Sequence, residues 1–340
     1  MGALGPVVAD ASPDLPGITA QDLLAKVQTA KVDGLSGTVR SATDLGLPAL
    51  PGVDGQSQLP DLLTGEHTAR VAFAGPDKAR VSVLDDMAER VWTTDGKSAW
   101  AYDSAKREAV KLTLPARPAK PEVAPEKQAY DPQAMAKKFL TAIDPSTAVD
   151  VTGTESVAGR DAYKLRLTPK TDKTTVGSVT LAIDAKTWVP LEVTVLPRTG
   201  KDPAIQLGFS AVSFDVPAAG TFAFTPPAGV KVTEKTLPAL DRPKAPKPLP
   251  KATPNKPAEH PTVIGTGWES IAVIRGAKLP TNNQALTQLL ANARTVQGSW
   301  GSGKILTSKM VSALITDDGR VLVGLVTADT LAAAAPTAPR

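Results

Sequence analysis

The chain has 340 residues, 42% of them hydrophobic but only 4% aromatic, with a formal net charge of +4, 31 prolines, two histidines and no cysteine. Disulfides and thiolate metal sites are therefore excluded, and His67 and His260, each beside polar or Pro-rich sequence, make a His-based metal centre or a Ser-His-Asp triad a poor fit. The basic excess is interleaved with Asp and Glu, which argues for a solvated surface with slight affinity for an anionic membrane and against a nucleic-acid footprint.

The opening "MGALGPVVADA" is small and apolar and reaches Ala9-Asp10-Ala11, an A-x-A-like pattern, but it is too short to span a bilayer and has no charged n-region. Residues 1–17 read either as a flexible tail or, preferably, as the stub of a clipped signal or anchor segment, which places the chain outside the cytoplasm. A helix then starts at Thr19, whose side chain can cap it with Asp22 three residues on, while Ile18 and Leu23 form a hydrophobic staple. Leu23, Leu24 and Val27 give this helix its apolar stripe, and the glycines of "VDGLSG" end it.

From Leu35 the apolar period changes to two. "LSGTVR" starts a strand, and the Gly-, Pro- and Leu-rich loop at 45–63 is long and apolar enough to cover something. "ARVAFAG" sets Val71 and Phe73 on one face of a strand, and "ARVSVL" does the same for Val81 and Val83. "RVWTTDGKSAWAYD" reads as a hairpin with a two-residue Asp95-Gly96 turn. That register puts Val91 opposite Trp100, with Tyr102 on the same, interior face, and Trp92 opposite Ala99 on the other. "AVKLTL" continues the meander.

An irregular Pro-rich crossing leads to a second helix, with Asp131 as cap, Pro132 in its first turn and an apolar stripe of Met135, Phe139 and Ile143. Alternating strands resume with Leu165 and Leu167, then Val179, Leu181 and Ile183, then Leu191, Val193 and Val195, then Ile205, Leu207 and Phe209. This is the pattern of an antiparallel sheet with one buried and one solvated face. At Ser210–Ala211 the parity slips and Val212, Phe214 and Val216 take over, which suggests a bulge or strand end. In "FAFTPPAGV" a closing strand points Phe222 and Phe224 into the interior, and Pro226-Pro227 stop it.

Residues 237–261 hold eight prolines interspersed with Lys and Arg, a polyproline-type spacer of up to roughly 75 Å at about 3.1 Å per residue. Residues 262–331 read as a small α+β domain: a strand in "TGWESIAVIRG", a helix in "TNNQALTQLLANAR", and a hairpin turned at Asp318-Gly319 that runs into a helical stub. Such a unit folds alone only marginally and is expected to dock. Residues 332–340 read as a disordered tail.

No catalytic constellation emerges. "GSWGSGK" lacks the spacing of a phosphate loop and reads as a hairpin or loop. Asp85-Asp86 and Asp317-Asp318 lie in turn sequences, and Glu155 and Asp184 near strand ends read as solvent-facing or turn-capping. The expectation is a non-enzymatic α+β protein without cofactor or metal. Its main sheet of roughly ten strands has only two amphipathic helices and the Leu/Pro loop to cover its apolar face. Such a sheet either closes into a solid core or leaves an apolar cavity. The lining would come from Val71, Phe73, Val81, Val83, Val91, Trp100, Tyr102, Leu165, Leu167, Leu181, Ile183, Val193, Val195, Leu207, Phe209, Phe222 and Phe224. The cover would come from Leu23, Leu24, Val27, Met135 and Phe139.

Residues 18–233 resemble the LolA/LolB lipoprotein-carrier superfamily. The likeness is carried by "TAQDLLAKVQTAKVDGLSGTV", "WTTDGKSAWAYD", "VAGRDAYKLRLTP", "LAIDAKTWVPLEVTV" and "FAFTPPAGVKV", in that order. The resemblance implies an incomplete antiparallel β-barrel of about ten or eleven strands over 18–236, wrapped around helices, with a cavity for acyl chains, a lipid or a lipoprotein, and no enzyme activity. The addition of a small second domain, with "GWESIAVI" and "GRVLVGLVTADTLAAAA", looks like the layout of the RseB/MucB regulators, and the Ala- and Pro-rich style resembles actinobacterial relatives. That likeness implies, as an alternative, an envelope-stress regulator gripping a membrane anti-sigma factor or other membrane partner through its second domain. The carrier's cavity arginine has no assignable counterpart beyond Arg40.

Overall fold

The computed structural model describes residues 12–46, 65–85, 87–114, 146–236, 261–276, 284–291 and 293–339. The second helix with Met135 and Phe139, most of the 45–63 loop and the 237–260 spacer lie outside the described residues. The first helix, α1 (Ala20–Thr29), is built as its sequence dictates. The Thr19 hydroxyl accepts from the Asp22 amide at 3.1 Å and donates to the Asp22 carboxylate at 2.6 Å, closing the first turn.

The main sheet contains β1 (Gly34–Thr43), β2 (Gly65–Ala74), β3 (Lys78–Asp85), β4 (Ala88–Thr94), β5 (Ser98–Asp103), β6 (Glu108–Thr113), β7 (Thr147–Val157), β8 (Arg160–Pro169), β9 (Val176–Asp184), β10 (Pro190–Pro197), β11 (Ile205–Ser213) and β12 (Lys231–Thr236). Its order is β12-β6-β5-β4-β3-β2-β1-β11-β10-β9-β8-β7, an open sheet whose edges β12 and β7 do not pair with each other. Among the described residues it has 12 strands, more than the sequence suggested, and it is not wholly antiparallel. The added strand, β12, runs parallel to β6, and all six of its residues are exposed. "KVTEKT" carries no apolar alternation, so its strand character comes from backbone pairing and from the flanking Lys111–Glu234 and Lys231–Glu108 ion pairs.

The expected slip near Ser210 is present. Thr38 pairs with Ala211 but Val39 with Phe209, leaving Ser210 as the extra residue. Gly37 permits this, because a Cβ there would lie 2.4 Å from the Ala211 carbonyl and 2.8 Å from the Phe209 ring. The β4–β5 hairpin differs from expectation by two residues: Val91 faces Tyr102 and Thr93 faces Trp100. The Asp95 carboxylate accepts from the amides of Lys97 at 2.9 Å and Ser98 at 2.8 Å, and this local bonding sustains a longer loop than a two-residue turn.

Asp184 organises the β9–β10 hairpin. Its Oδ1 accepts from the Lys186 and Thr187 amides at 3.0 and 2.6 Å, and Arg160 grips both carboxylate oxygens. Burial alone would raise the Asp184 carboxyl, but Arg160 and the Thr187 and Lys186 donors outweigh it and hold it below the usual range.

A second, six-stranded antiparallel sheet follows, ordered β13-β14-β18-β17-β16-β15. Its strands are β13 (Thr262–Ile264), β14 (Ile271–Arg275), β15 (Arg294–Gly298), β16 (Gly301–Thr307), β17 (Ser312–Thr316) and β18 (Arg320–Gly324), with helices α2 (Gln284–Ala291) and α3 (Ala328–Ala334). "TGWESIAVIRG" is divided between a 3-10 turn at Gly267–Glu269 and β14 rather than forming one strand. "GSWGSGK" forms the β15–β16 hairpin, whose turn buries Trp300 in the core with Ile271, Val273, Ile305, Leu314, Leu322 and Leu331.

The final residues are not a loose tail. Ala335 and Ala338 belong to this core, and the buried Arg320 donates from Nη1 to both of their carbonyls at 3.0 Å and from Nε to Asp318. An Ala-rich ending offers no side-chain signal for this, because the bonds go to its backbone.

The second unit docks on the main sheet. The Thr175 amide donates to the Leu325 carbonyl at 3.0 Å and the Thr327 amide to the Lys173 carbonyl at 2.8 Å. Trp268 Nε1 donates to Thr147 at 2.7 Å, and Lys309 pairs with Asp44 at 3.0 Å. Met310 is buried with Val176 and Ala204, against Val179 and Val195.

Arg320→Met should destabilise the second unit by on the order of 3 kcal/mol, since it leaves two buried carbonyls and Asp318 without their partner. Hydrogen exchange should show lost protection at the β18 and α3 amides. The Arg320 guanidinium holds the Asp318 carboxyl down to about 2. Its contribution is therefore present above the ordinary carboxylate value near 3.8 and is lost as pH falls through about 2. Acid titration of Asp318→Asn should lack that component.

Candidate functional site

Residues paired across neighbouring strands share a face, so the register sorts the apolar candidates. One continuous face carries the rows Val71–Val81–Trp92 and Ala69–Val83–Arg90, with Phe73 opposite Ala79. It continues through Val39, which pairs with Ala69 on one side and Phe209 on the other. Beyond β1 the same face carries Leu207–Val193–Leu181–Leu165–Val151 and Ile205–Val195–Val179–Leu167–Val149, with Ile183 opposite Tyr163. Helix α1 lies on this face: its buried Leu23 and Leu24 pack with Tyr163, Leu165 and Ile183, and Val27, Leu167 and Leu181 surround them.

Val91, Trp100 and Tyr102 lie on the opposite face. Val91 and Tyr102 pair with each other, and the Val91 row runs through Ser82, not Val83. The expectation that all of these line one interior is thus corrected. β3 and β4 pair Val81 with Trp92, which turns Val91 to the other side.

Phe222 and Phe224 are on that other side too, and not in a strand. After β11 the chain crosses the sheet as a strap, with Phe222 ending a 3-10 turn at Ala219–Phe222. Arg80 Nη1 donates to the Thr221 and Ala223 carbonyls at 3.2 and 3.3 Å, and Thr93 donates to the Phe222 carbonyl at 3.0 Å. Phe224 packs tilted against Trp100 and Tyr102, each with centroids 5.4 Å away. Phe222, only 1% exposed, seals this face. Arg40 also lies off the apolar face, paired with Thr68 and Gly208 between rows that carry it.

The two ends of the α1 face differ. Leu165 and Ile183 are fully buried beneath α1, a packed core rather than a lining. Val179 and Val195 pack against Met310 and its buried neighbours where the second unit docks. Toward the middle and β4, by contrast, Val81 is 36% exposed, Trp92 40% and Leu207 45%, and among the described residues no helix packs on them. Between them Val83 is buried, so these are exposed apolar positions on one face rather than one continuous patch. An adjoining hollow of about 130 Å³, lined by Val39, Leu191, Val193, Leu207 and Phe209, is smaller than the roughly 300–1,000 Å³ of a ligand pocket, so this is an open surface and not a closed cavity.

Sequence reasoning missed Arg90. It stands on the α1 face between Val83 and Asp103, 7% exposed, with its Nη2 on Asp85 at 2.9 Å. Asp85 also faces His67 Nδ1 at 3.6 Å. The only sequence signal is that Arg90 occupies an inward position of the alternation in β4. Among the described residues no group of His, Asp and Glu is arranged to hold a metal, and no helix is long and apolar enough to cross a membrane.

No protein-family model and no curated protein matches the sequence. Among solved structures, the chain is similar to the MucA/MucB complex of Pseudomonas aeruginosa at 15% identity and a TM-score of 0.46, covering 93% of this chain and 96% of that one. It is also similar to an uncharacterised conserved protein from Thermus thermophilus, at 15% identity and a TM-score of 0.36, covering 64% and 99%. A LolA superfamily protein from Nitrosomonas europaea is similar at 16% identity and a TM-score of 0.23, covering 61% and 99%. All of these likenesses lie below 20% identity and below a TM-score of 0.5.

Phe222→Ala should cost about 3–5 kcal/mol in urea unfolding, the range for emptying a buried aromatic site. Because Phe222 seals the strap face, the variant should leave any ligand affinity of the α1 face unchanged under native conditions.

Proposed function

We propose that the chain is a non-enzymatic, extracytoplasmic binding protein that holds acyl chains of a lipid or lipoprotein on the α1 face of its open sheet. The observation that carries this reading is the exposure of Val81, Trp92 and Leu207 on the apolar face whose β7–β11 side is covered by α1 and the second unit. Covering these residues with an acyl chain releases water from apolar surface at roughly 25 cal/mol per Å². The titratable groups near these residues are an ion-paired Arg90–Asp85 and His67, which faces Asp85.

A second reading makes the same face the sensor of an envelope regulator, with the docked unit gripping a membrane partner. What favours it is the attachment: the Thr174 hydroxyl and the Thr175 amide both donate to the Leu325 carbonyl, and the burial of Met310 ties the second sheet to the first. Deleting the second unit would expose Val176 and Ala204, so point variants separate the two uses better than truncation.

Mass spectrometry of solvent extracts from the purified chain, reloaded with a diacyl phospholipid, should detect bound acyl species. The double variant Val81→Asp/Leu207→Asp should retain its circular dichroism and bind at least about tenfold less, because each carboxylate must be desolvated beneath the chain. A wild-type chain that takes up no lipid, or a variant that takes up as much, would sink the carrier reading. Capture of a membrane partner undiminished in the double variant would favour the regulator.

A further inference from the structure

Arg90 combines features that seldom occur together. Its side chain is only 9% exposed, yet it sits two residues from the exposed Trp92 on the same strand face, about 7 Å along β4. Its Nη2 is satisfied by Asp85, but its Nε–H is buried and has no acceptor among the described residues. An arginine donor in such a place is costly to leave empty, and native structures rarely do so without a ligand or a role.

The charges around it define the acceptor. Asp85 pairs with Arg90 directly, and Asp103 stands opposite it on β5, with Lys106 on Asp103 at 3.6 Å. His67 lies beyond Asp85. The guanidinium charge is already balanced by carboxylates, so a phosphate or free carboxylate placed on Nε would meet Asp85 and Asp103 at close range. A neutral acceptor meets no such opposition. The neutral acceptor that an apolar face would deliver to this point is the carbonyl oxygen of an acyl ester or amide, with the hydrocarbon laid along Trp92, Val81 and Leu207.

We infer, on the acyl-binding reading of this face, that Arg90 is a specificity residue: its Nε–H donates to the acyl carbonyl of the bound ligand, selecting esterified or amide-linked chains over plain hydrocarbon and over free fatty acid. Asp85 is the positioning residue, holding the guanidinium by Nη2.

The test compares three probes of similar length, methyl decanoate, undecane and decanoate, by displacement of an environment-sensitive dye from the full chain. Relative to each probe's own transfer from water to alkane, methyl decanoate should bind more tightly than undecane by about 2- to 10-fold, the worth of one hydrogen bond, and decanoate should bind no better than undecane. Arg90→Lys keeps a cation for Asp85 but removes Nε. It should abolish the ester preference while leaving undecane affinity unchanged.

The infrared carbonyl band of ¹³C-labelled methyl decanoate should shift to lower wavenumber on the wild-type chain and return toward its apolar-solvent position in Arg90→Lys. Should Arg90→Lys fail to fold, the band on the wild-type chain decides alone. An unshifted band, equal binding of ester and alkane on that scale, or a decanoate preference overturns the inference while leaving the exposed apolar positions in place. Failure of all three probes to bind overturns the acyl-binding reading itself, and this inference with it.

Discussion

β1 is the seam of the molecule. It is the strand on which the meander β1–β6 and the block β7–β11 meet, pairing with β2 along one side and β11 along the other. A side-chain period of two means that a one-residue slip on either side of β1 would turn half of the apolar residues to the opposite face. The bulge at Ser210, accommodated by Gly37, sets that register: it brings Phe209 and Leu207 onto the face of Val39, Val71 and Val81. With that alignment a single apolar face extends from Trp92 to Val151, and α1 has a continuous surface to pack on.

The consequence is a sheet covered on both sides, but unevenly. The strap from β11 to β12 seals the face of Val91, Trp100 and Tyr102 with Phe222 and Phe224, while α1 and the docked second unit cover the two flanks of the other face. Val81 and Trp92 on β3 and β4, and Leu207 on β11, are exposed on this face beyond the α1 contact, with the buried Arg90 next to Trp92.

Much of this is legible in the chain. The capping residues of α1, the alternation of Leu165, Leu181, Val193 and Leu207, the slip at Ser210 and the Asp318-Gly319 hairpin all stand in the structure as their sequence implies. The failures have physical causes. Alternation tells which residues of one strand share a face, but not which face of the next strand they join. Alternation alone thus groups Val91 with Val83, although the register of β3 and β4 separates them. Phe222 and Phe224 carry strand spacing, yet bonds from Arg80 and Thr93 to the backbone of this segment hold them in a turn and an extended crossing instead. The exposed strand β12 and the buried tail at Ala338 are held by backbone groups, which side-chain patterns do not report. Arg90 reads as one more surface cation until its neighbours are known.

The two-sided arrangement can be tested in one spectrum. In a chain labelled with 5-fluorotryptophan, ¹⁹F resonances of Trp92 and Trp100 report opposite faces of the same hairpin. Addition of a methyl ester carrying a nitroxide on its acyl chain should broaden the Trp92 resonance more strongly than that of Trp100, which lies on the far face of the sheet beneath Phe224. Broadening of Trp100 with Trp92 unaffected, or of neither at saturating ester, would contradict the account.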